Sequence, residues 1–158
     1  EIILNTVATP QNLDEIEHMP AFIVDTFGTD VTLMFSVTAP VQRAAFNFSL
    51  VPRARDVAPA LARALASAHR LGLKAIVPEV CGLPRCVLPS NETDFAAHDR
   101  APTPQSTGES SELSIDRAKA PGCSTCIFNA TCIGVWRLYA EAYGFDEFQP
   151  VLSEAVRS

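Results

Sequence analysis

VTLMFSVT, at residues 31–38, is a nearly continuous apolar run that is rich in β-branched side chains. EIILNTVA at 1–8 and LKAIVPEV at 73–80 have the same character. A strand that is buried on both faces lacks the polar alternation of a half-exposed strand. The three runs therefore predict three strands that are buried on both faces.

The segments between these runs carry helix signals. Asn12, with Glu15 three residues later, resembles a capping box, and the helix that it begins is expected to extend to Gly28 with a kink or break at Pro20. A second helix is expected to begin at Asp56 as the N-terminal cap.

Pro59 is expected to lie in the first turn of this second helix, where proline is tolerated. Gly72 can end the helix in a left-handed conformation. The apolar face of the helix comprises Leu61, Leu65 and Ala68. The resulting β-α-β-α-β order predicts parallel strands with right-handed crossovers, in an open α/β sheet or part of a barrel.

Polar side chains follow the predicted strands at their carboxyl ends, where sheets of this kind place their chemistry. These positions are Asn5 and Thr6, Ser36 and Thr38, and Glu79 and Cys81. Three arginines flank the second strand and the helix after it, and they are candidates for holding a substrate carboxylate, although a solvated surface is the preferred explanation. They are Arg43, Arg53 and Arg55.

The five cysteines fall into two groups. Cys81 and Cys86 lie in CGLPRC, and Cys123, Cys126 and Cys132 lie in CSTCIFNATC. A C-x4-C pair together with a distant C-x2-C-x5-C run is spacing typical of thiolates that converge on an iron–sulfur cluster or on zinc. A zinc site built from CGLPRC and CSTC would leave Cys132 spare.

Composition restricts the class of protein. The 158 residues are 47% hydrophobic and 19% charged, which is typical of a globular chain with one main domain. A net charge of −6 argues against binding to nucleic acid, because phosphate binding needs a concentrated basic surface. No apolar run reaches the roughly 20 residues of a membrane span. An odd number of clustered cysteines favours a reducing compartment, so a cytoplasmic location is expected.

The end of the chain differs in character from its beginning. Residues 97–121 are rich in Pro, Ser, Thr and Ala, as expected of a surface linker. From 133 to 143 the aromatic residues follow helical spacing, with Gly144 as a stop. The expected fold is thus a parallel β-α-β-α-β unit followed by a small irregular cysteine-rich extension with a C-terminal helix.

Five stretches carry a resemblance to a known family. They are ILNTVATPQNLDEI at 3–16, LMFSVTAP at 33–40, LVPRARDVAPAL at 50–61, EVCGLPRCVLP at 79–89 and GCSTCIFNATCIGVWRLYAEAYGFDEFQPV at 122–151. Together they resemble the second half of the partial (β/α)6 TIM-like barrel of radical S-adenosylmethionine enzymes. The resemblance implies half of that barrel over 1–90, a linker over 91–121 and an auxiliary-cluster extension over 122–158.

The extension looks like the domains called twitch, a reduced form of SPASM, whose core reads C-x2-C-x5-C-x3-C. Cys123, Cys126 and Cys132 match the first three positions, and Trp136 stands at the fourth, where it cannot ligate iron. The resemblance therefore implies one auxiliary four-iron four-sulfur cluster, completed by Cys81 or Cys86.

The same resemblance implies that Asn5 and Ser36 contact the ribose or methionyl part of S-adenosylmethionine; the alternative is that they satisfy backbone groups at the strand ends. Gly82 and Gly122 are expected to turn backbone amides toward sulfur. Three aromatic side chains are expected to exclude water from the cluster. They are Phe128, Trp136 and Tyr139.

One motif of the family is missing from this chain. The C-x3-C-x2-C run that generates the radical occurs nowhere in the 158 residues, and Glu1 begins inside a predicted strand. The chain is therefore expected to be the C-terminal part of an enzyme, or a subunit that needs a partner, and to be inactive alone on its small-molecule or peptide substrate. The alternative is a non-catalytic zinc-stapled module that binds a partner through its aromatic helix.

Overall fold

The computed structural model describes residues 1–78, 80–88, 95–96 and 116–152. Three strands form a parallel sheet in the order β1-β2-β3. They are β1 (Ile2–Ala8), β2 (Val31–Val37) and β3 (Lys74–Pro78). A two-residue strand, β4 (Phe95–Ala96), extends the sheet in parallel beside β3. The mixed α/β class and the parallel arrangement of the three predicted strands are confirmed.

Burial across the sheet follows from the position of each strand. β2 lies between two neighbours, and Leu33 and Phe35 at its centre have no exposed surface. Among the described strands β1 lies at the edge of the sheet, and its residues Ile2, Ile3 and Val7 are 62%, 52% and 42% exposed. The prediction that β1 is buried on both faces is therefore wrong, because an apolar run does not reveal what packs against each face of a strand.

The first predicted helix consists of two short helices, α1 (Leu13–Ile16) and α2 (Met19–Phe27). Pro20 lies in the first turn of α2, where its missing N–H costs no hydrogen bond. The predicted capping box is wrong. The Asn12 side chain instead accepts from the Thr9 backbone N–H at 2.8 Å and donates to the Val7 carbonyl at 2.9 Å, which stabilises the turn after β1.

The second predicted helix is α3 (Ala54–Arg70), which begins two residues before Asp56. Asp56 therefore lies in the first turn rather than at the cap, and Pro59 lies inside the helix. The predicted end is correct, since Gly72 adopts a φ of 69° just after the helix. The apolar face of α3 is buried and includes the three predicted residues Leu61, Leu65 and Ala68.

The cysteine-rich end of the chain forms a compact set of turns. A two-stranded antiparallel ribbon joins β5 (Arg117–Ala118) to β6 (Val135–Trp136), and α4 (Arg137–Tyr143) follows it directly. The C-terminal helix thus begins later than predicted, because 135–136 pair as a strand. Gly144 ends α4 with a φ of 72°, as expected.

Hydrogen bonds join this end of the chain to the start of α3. The Tyr139 hydroxyl accepts from the Ala54 backbone N–H at 2.7 Å and donates to the Glu147 carboxylate at 2.6 Å. Arg53 donates from Nε to the same carboxylate at 2.6 Å. Since the Glu147 side chain is only 5% exposed, α3 and α4 share one buried polar contact.

Two further predictions concern the chain as a whole. Most of the predicted linker, residues 97–115, lies outside the described residues, so the domain boundaries stay a prediction. Within the described parts of the chain, no helix is long and apolar enough to cross a bilayer.

Candidate metal centre

Tight turns position the three cysteines of CSTCIFNATC. Cys123 lies in a 3-10 turn, Pro121–Thr125, and the Cys126 N–H donates to the Cys123 carbonyl at 3.1 Å. The Cys132 N–H donates to the Phe128 carbonyl at 2.8 Å. Each hydrogen bond closes a short loop, so the spacing of the motif folds the three thiols back toward one another.

Four thiols line one cavity of about 390 Å³, part of which is open to solvent. Cys86, from the loop after β3, joins Cys123, Cys126 and Cys132 there. We call this space the cysteine cavity; its other walls comprise Arg85, Lys119, Phe128, Asn129, Phe148, Gln149 and Pro150. The structure thus brings together the first three positions of the extension motif and one cysteine of CGLPRC.

The chemistry of Cys86 reflects this setting. Burial, followed by the charges of the nearby sulfurs of Cys132, Cys126 and Cys123, raises the pKa of the Cys86 thiol to about 12. A free thiol at this position stays protonated at neutral pH. Binding of a metal ion requires the thiolate, so ligation here releases a proton.

The four thiols stand around the walls of the cavity rather than at a single point. Among the described residues, no three Cys, His, Asp or Glu side chains converge closely enough to hold one metal ion as they stand. The set consists entirely of thiols, which are the soft donors that iron–sulfur clusters and zinc prefer.

One backbone amide already points at a cysteine sulfur. The Gly134 N–H donates to Cys132 Sγ at 3.3 Å. Gly134 has a φ of 83°, and a Cβ on it would lie 2.5 Å from the Ala118 carbonyl oxygen. The described amide–sulfur contact therefore comes from Gly134 and not from the predicted Gly82 or Gly122.

The aromatic walls differ from the prediction. Phe128 lines the cysteine cavity as expected, and Phe148, which was not predicted, lines it as well. Trp136 and Tyr139 line a neighbouring cavity instead. Trp136 and Tyr139 follow helical spacing in the sequence, but Trp136 lies in β6 and only Tyr139 lies in α4.

Cys81 lies apart from the cysteine cavity. Its Sγ is 3.4 Å from Ser36 Oγ, and Ser36 donates a hydrogen bond to Asn5 Oδ1 at 3.0 Å. The two residues predicted to contact S-adenosylmethionine and the fifth cysteine thus form one hydrogen-bonded group. Ser36 lies near the carboxyl end of β2, but Asn5 lies at the middle of β1 and not at its end as predicted. Ser36 is 5% exposed, whereas Asn5 is exposed.

Arg117 is a residue that the sequence reasoning did not identify. Its guanidinium lies 3.6 Å from the centre of the Trp136 ring and donates from Nη2 to the Val80 carbonyl at 2.5 Å. Burial lowers the pKa of Arg117 to about 10. No local signal marked this arginine, because it follows a segment that resembles a linker in composition.

The predicted arginines are placed differently. Arg53 pairs with Glu147, and Arg55 lies 3.7 Å from the same carboxylate. Arg43 is exposed in a 3-10 turn. The carboxylate partner of Arg53 is therefore supplied by the chain itself.

Gly82 fixes the path of the CGLPRC loop. A Cβ on it would overlap the Pro78 carbonyl oxygen and Val77 Cγ1 at the end of β3. We expect Gly82→Ala to lower the free energy of unfolding by about 2 kcal/mol, because β3 backbone and a buried valine must move. Urea unfolding measures this cost, with Gly122→Ala as the control, where the nearest contact is 3.6 Å. Equal stabilities for the two variants would contradict this account.

Comparisons of this chain with models of protein families, with curated proteins and with solved structures found no match.

Proposed function

We propose that this chain is the cluster-binding C-terminal portion of a radical S-adenosylmethionine enzyme. The observation that carries the proposal is that four of the five cysteines, from two separate segments, line one cavity. The carboxyl ends of a parallel sheet lie close by, and Cys81 there contacts Ser36. In this proposal the sheet is part of a (β/α)6 barrel, and residues 122–158 form the cysteine-rich extension.

The number and the type of donors in the cavity support a four-iron four-sulfur cluster as the proposed cofactor. Its four thiols match the usual ligand number, and the position of Cys86 in the cavity supports Cys86 rather than Cys81 as the fourth ligand. The Gly134 amide stabilises the Cys132 thiolate, and Phe128 and Phe148 limit access of water. An auxiliary cluster at this place supplies one-electron transfer or an anchor for substrate.

Asn5 and Ser36 are proposed to contact S-adenosylmethionine. Their side chains are joined by a hydrogen bond, and Ser36 lies near the carboxyl end of β2, on the side of the sheet where parallel α/β folds bind ligands. Asn5 is exposed and so is available to a ligand. Ser36 orients the Asn5 amide from its buried position.

In this proposal the radical-generating segment lies outside these 158 residues, either in the preceding part of the same enzyme or in a partner chain, since C-x3-C-x2-C is missing here. Parallel sheets are normally covered on both faces and paired along their edges. Among the described strands only β2 pairs with β1, and Ile2, Ile3 and Val7 of β1 are exposed. We propose that a strand of the radical-generating segment pairs with β1, and that the chain alone is inactive. A reducing compartment such as the cytoplasm suits the thiols.

Four thiolates also form the ligand set of structural zinc. The zinc-stapled binding module therefore stays the second candidate. The position of Cys81 means that the need for Cys132 does not distinguish a zinc site from an iron–sulfur cluster. Because CGLPRC contributes only Cys86 to the cavity, a four-thiolate zinc site needs Cys132 as much as a cluster does.

Anaerobic reconstitution with iron and sulfide tests the proposal. We expect a brown protein with about four irons and four sulfides per chain. The control is the same chain incubated with zinc under identical conditions. A colourless chain that retains about one zinc and no sulfide would reject the cluster in favour of the second candidate.

A further inference from the structure

A second cavity adjoins the cysteine cavity and shares Phe148 with it; its volume of about 460 Å³ includes space that is open to solvent. We call it the arginine cavity. It lies between the loop after β2, the CGLPRC loop and the ribbon of β5 and β6, and its walls are formed mainly by apolar and aromatic side chains. Those that matter here are Ala39, Leu83, Trp136, Tyr139 and Phe148.

Arg117 is the charged residue among those that line this cavity, and no Asp or Glu of the described chain joins it there. Its Nε is buried and has no hydrogen-bond partner among the described residues. The neighbouring carboxylate, Asp116, lies 3.8 Å from Arg137, and its charge raises the pKa of Arg117 by less than burial lowers it. A guanidinium in an apolar cavity is costly unless an anion compensates it.

The two side-chain hydroxyls that line the cavity are occupied. The Thr38 hydroxyl donates to the Ala8 carbonyl at 3.1 Å, and the Tyr139 hydroxyl bonds Ala54 and Glu147. Recognition of a ligand here therefore depends on the charge of Arg117 and on apolar contact. Such a combination suits a carboxylate attached to an apolar or aromatic body.

We propose that the arginine cavity binds an organic carboxylate with an apolar body, and that Arg117 binds its carboxylate group. The further claim that this carboxylate is the substrate of the enzyme rests on the proposed function, because the cavity lies beside the proposed cluster. Carboxylate binding itself does not depend on the cluster, so it is measured before and after reconstitution.

The probe is 3-phenylpropionate, compared with its uncharged amide, 3-phenylpropionamide. Trp136 is the only tryptophan in the chain, so its fluorescence reports on the cavity directly. We expect the acid to bind about 10- to 100-fold more tightly than the amide, as for a hydrogen bond to a charged group. We expect Arg117→Gln to abolish this preference and Arg43→Gln, at an exposed position, to keep it.

Two additional variants keep the test decisive. Ala39→Phe fills the cavity and retains Arg117, so it must weaken binding of the acid even if Arg117→Gln does not fold. Glu79 precedes Val80 in the sequence and lies outside the described residues. If the acid binds to the Glu79→Gln variant but not to the wild-type chain, the Glu79 carboxylate already neutralises Arg117. That result would overturn the proposal.

The carboxylate of S-adenosylmethionine is the other possible source of the anion. Titration of the unreconstituted chain with S-adenosylmethionine separates the two. Binding that depends on Arg117, with no binding of 3-phenylpropionate, would assign the cavity to the cofactor and overturn the proposal. Equal affinities for the acid and the amide would do the same. Carboxylate binding in a chain that fails to take up iron would leave this site standing and reject the cluster.

Discussion

Replacing Cys86 with alanine is expected to lower the iron content of the reconstituted chain from about four to fewer than about one per chain. Cys86 is the thiol that CGLPRC brings to the cysteine cavity, where Cys123, Cys126 and Cys132 supply the others. Without it, three thiolates and an open iron site remain. Such a cluster lacks a protein ligand at one iron and is open to solvent there, so iron and visible absorption are expected to be lost together during desalting.

Cys81→Ala is the matched control, because it removes a thiol five residues away in the same loop. Its Sγ contacts Ser36 Oγ and does not line the cysteine cavity. We expect this variant to retain about four irons per chain. Iron and sulfide analysis after anaerobic desalting measures both variants. Loss of iron from Cys81→Ala, with retention by Cys86→Ala, would show that the other cysteine completes the site.

Replacing Glu147 with glutamine is expected to lower the free energy of unfolding by about 2–3 kcal/mol at neutral pH. The carboxylate is nearly buried and accepts hydrogen bonds from Tyr139 and Arg53, each at 2.6 Å. Glutamine keeps the shape but loses the charge that compensates Arg53. The contact joins α3 to the segment after α4, so we expect that segment to detach from the sheet first.

The effect is expected to depend on pH in a direction set by the pKa of Glu147. Burial alone raises this pKa, but hydrogen bonds from Tyr139, Arg53 and the Arg55 backbone outweigh burial and hold it below its ordinary value. A carboxyl with a lowered folded-state pKa stabilises the fold fully above its unfolded-state pKa, about 4.3, and loses that contribution as pH falls through the folded-state pKa. The wild-type and variant stabilities should therefore converge in acid.

Urea unfolding between about pH 3 and pH 7, followed by Trp136 fluorescence, measures this convergence. Glu141→Gln is the control, since Glu141 is exposed on the same helix α4. We expect this control to change stability by less than about 0.5 kcal/mol at every pH. A constant difference between wild type and Glu147→Gln across the range would contradict the proposed ionic contact.

The sequence by itself determined the local elements of the fold. Three apolar runs specified the strands, because a buried strand needs an unbroken apolar segment. Gly72 and Gly144 specified two helix ends, since glycine adopts positive φ at little cost. The C-x2-C-x5-C spacing indicated that three thiols gather within a few turns. All of these features depend on residues that are near neighbours in the chain.

Only the tertiary structure decided which residues from distant segments meet. It placed Cys86 in the cysteine cavity and Cys81 beside Ser36, although both belong to CGLPRC. It also placed Arg117 over Trp136 and left one edge of β1 exposed. Sequence patterns specify local periodicity, whereas these contacts depend on how loops cross between elements and on which edge of a sheet each segment reaches. That path is set by the packing of the whole core, so no short motif could have revealed it.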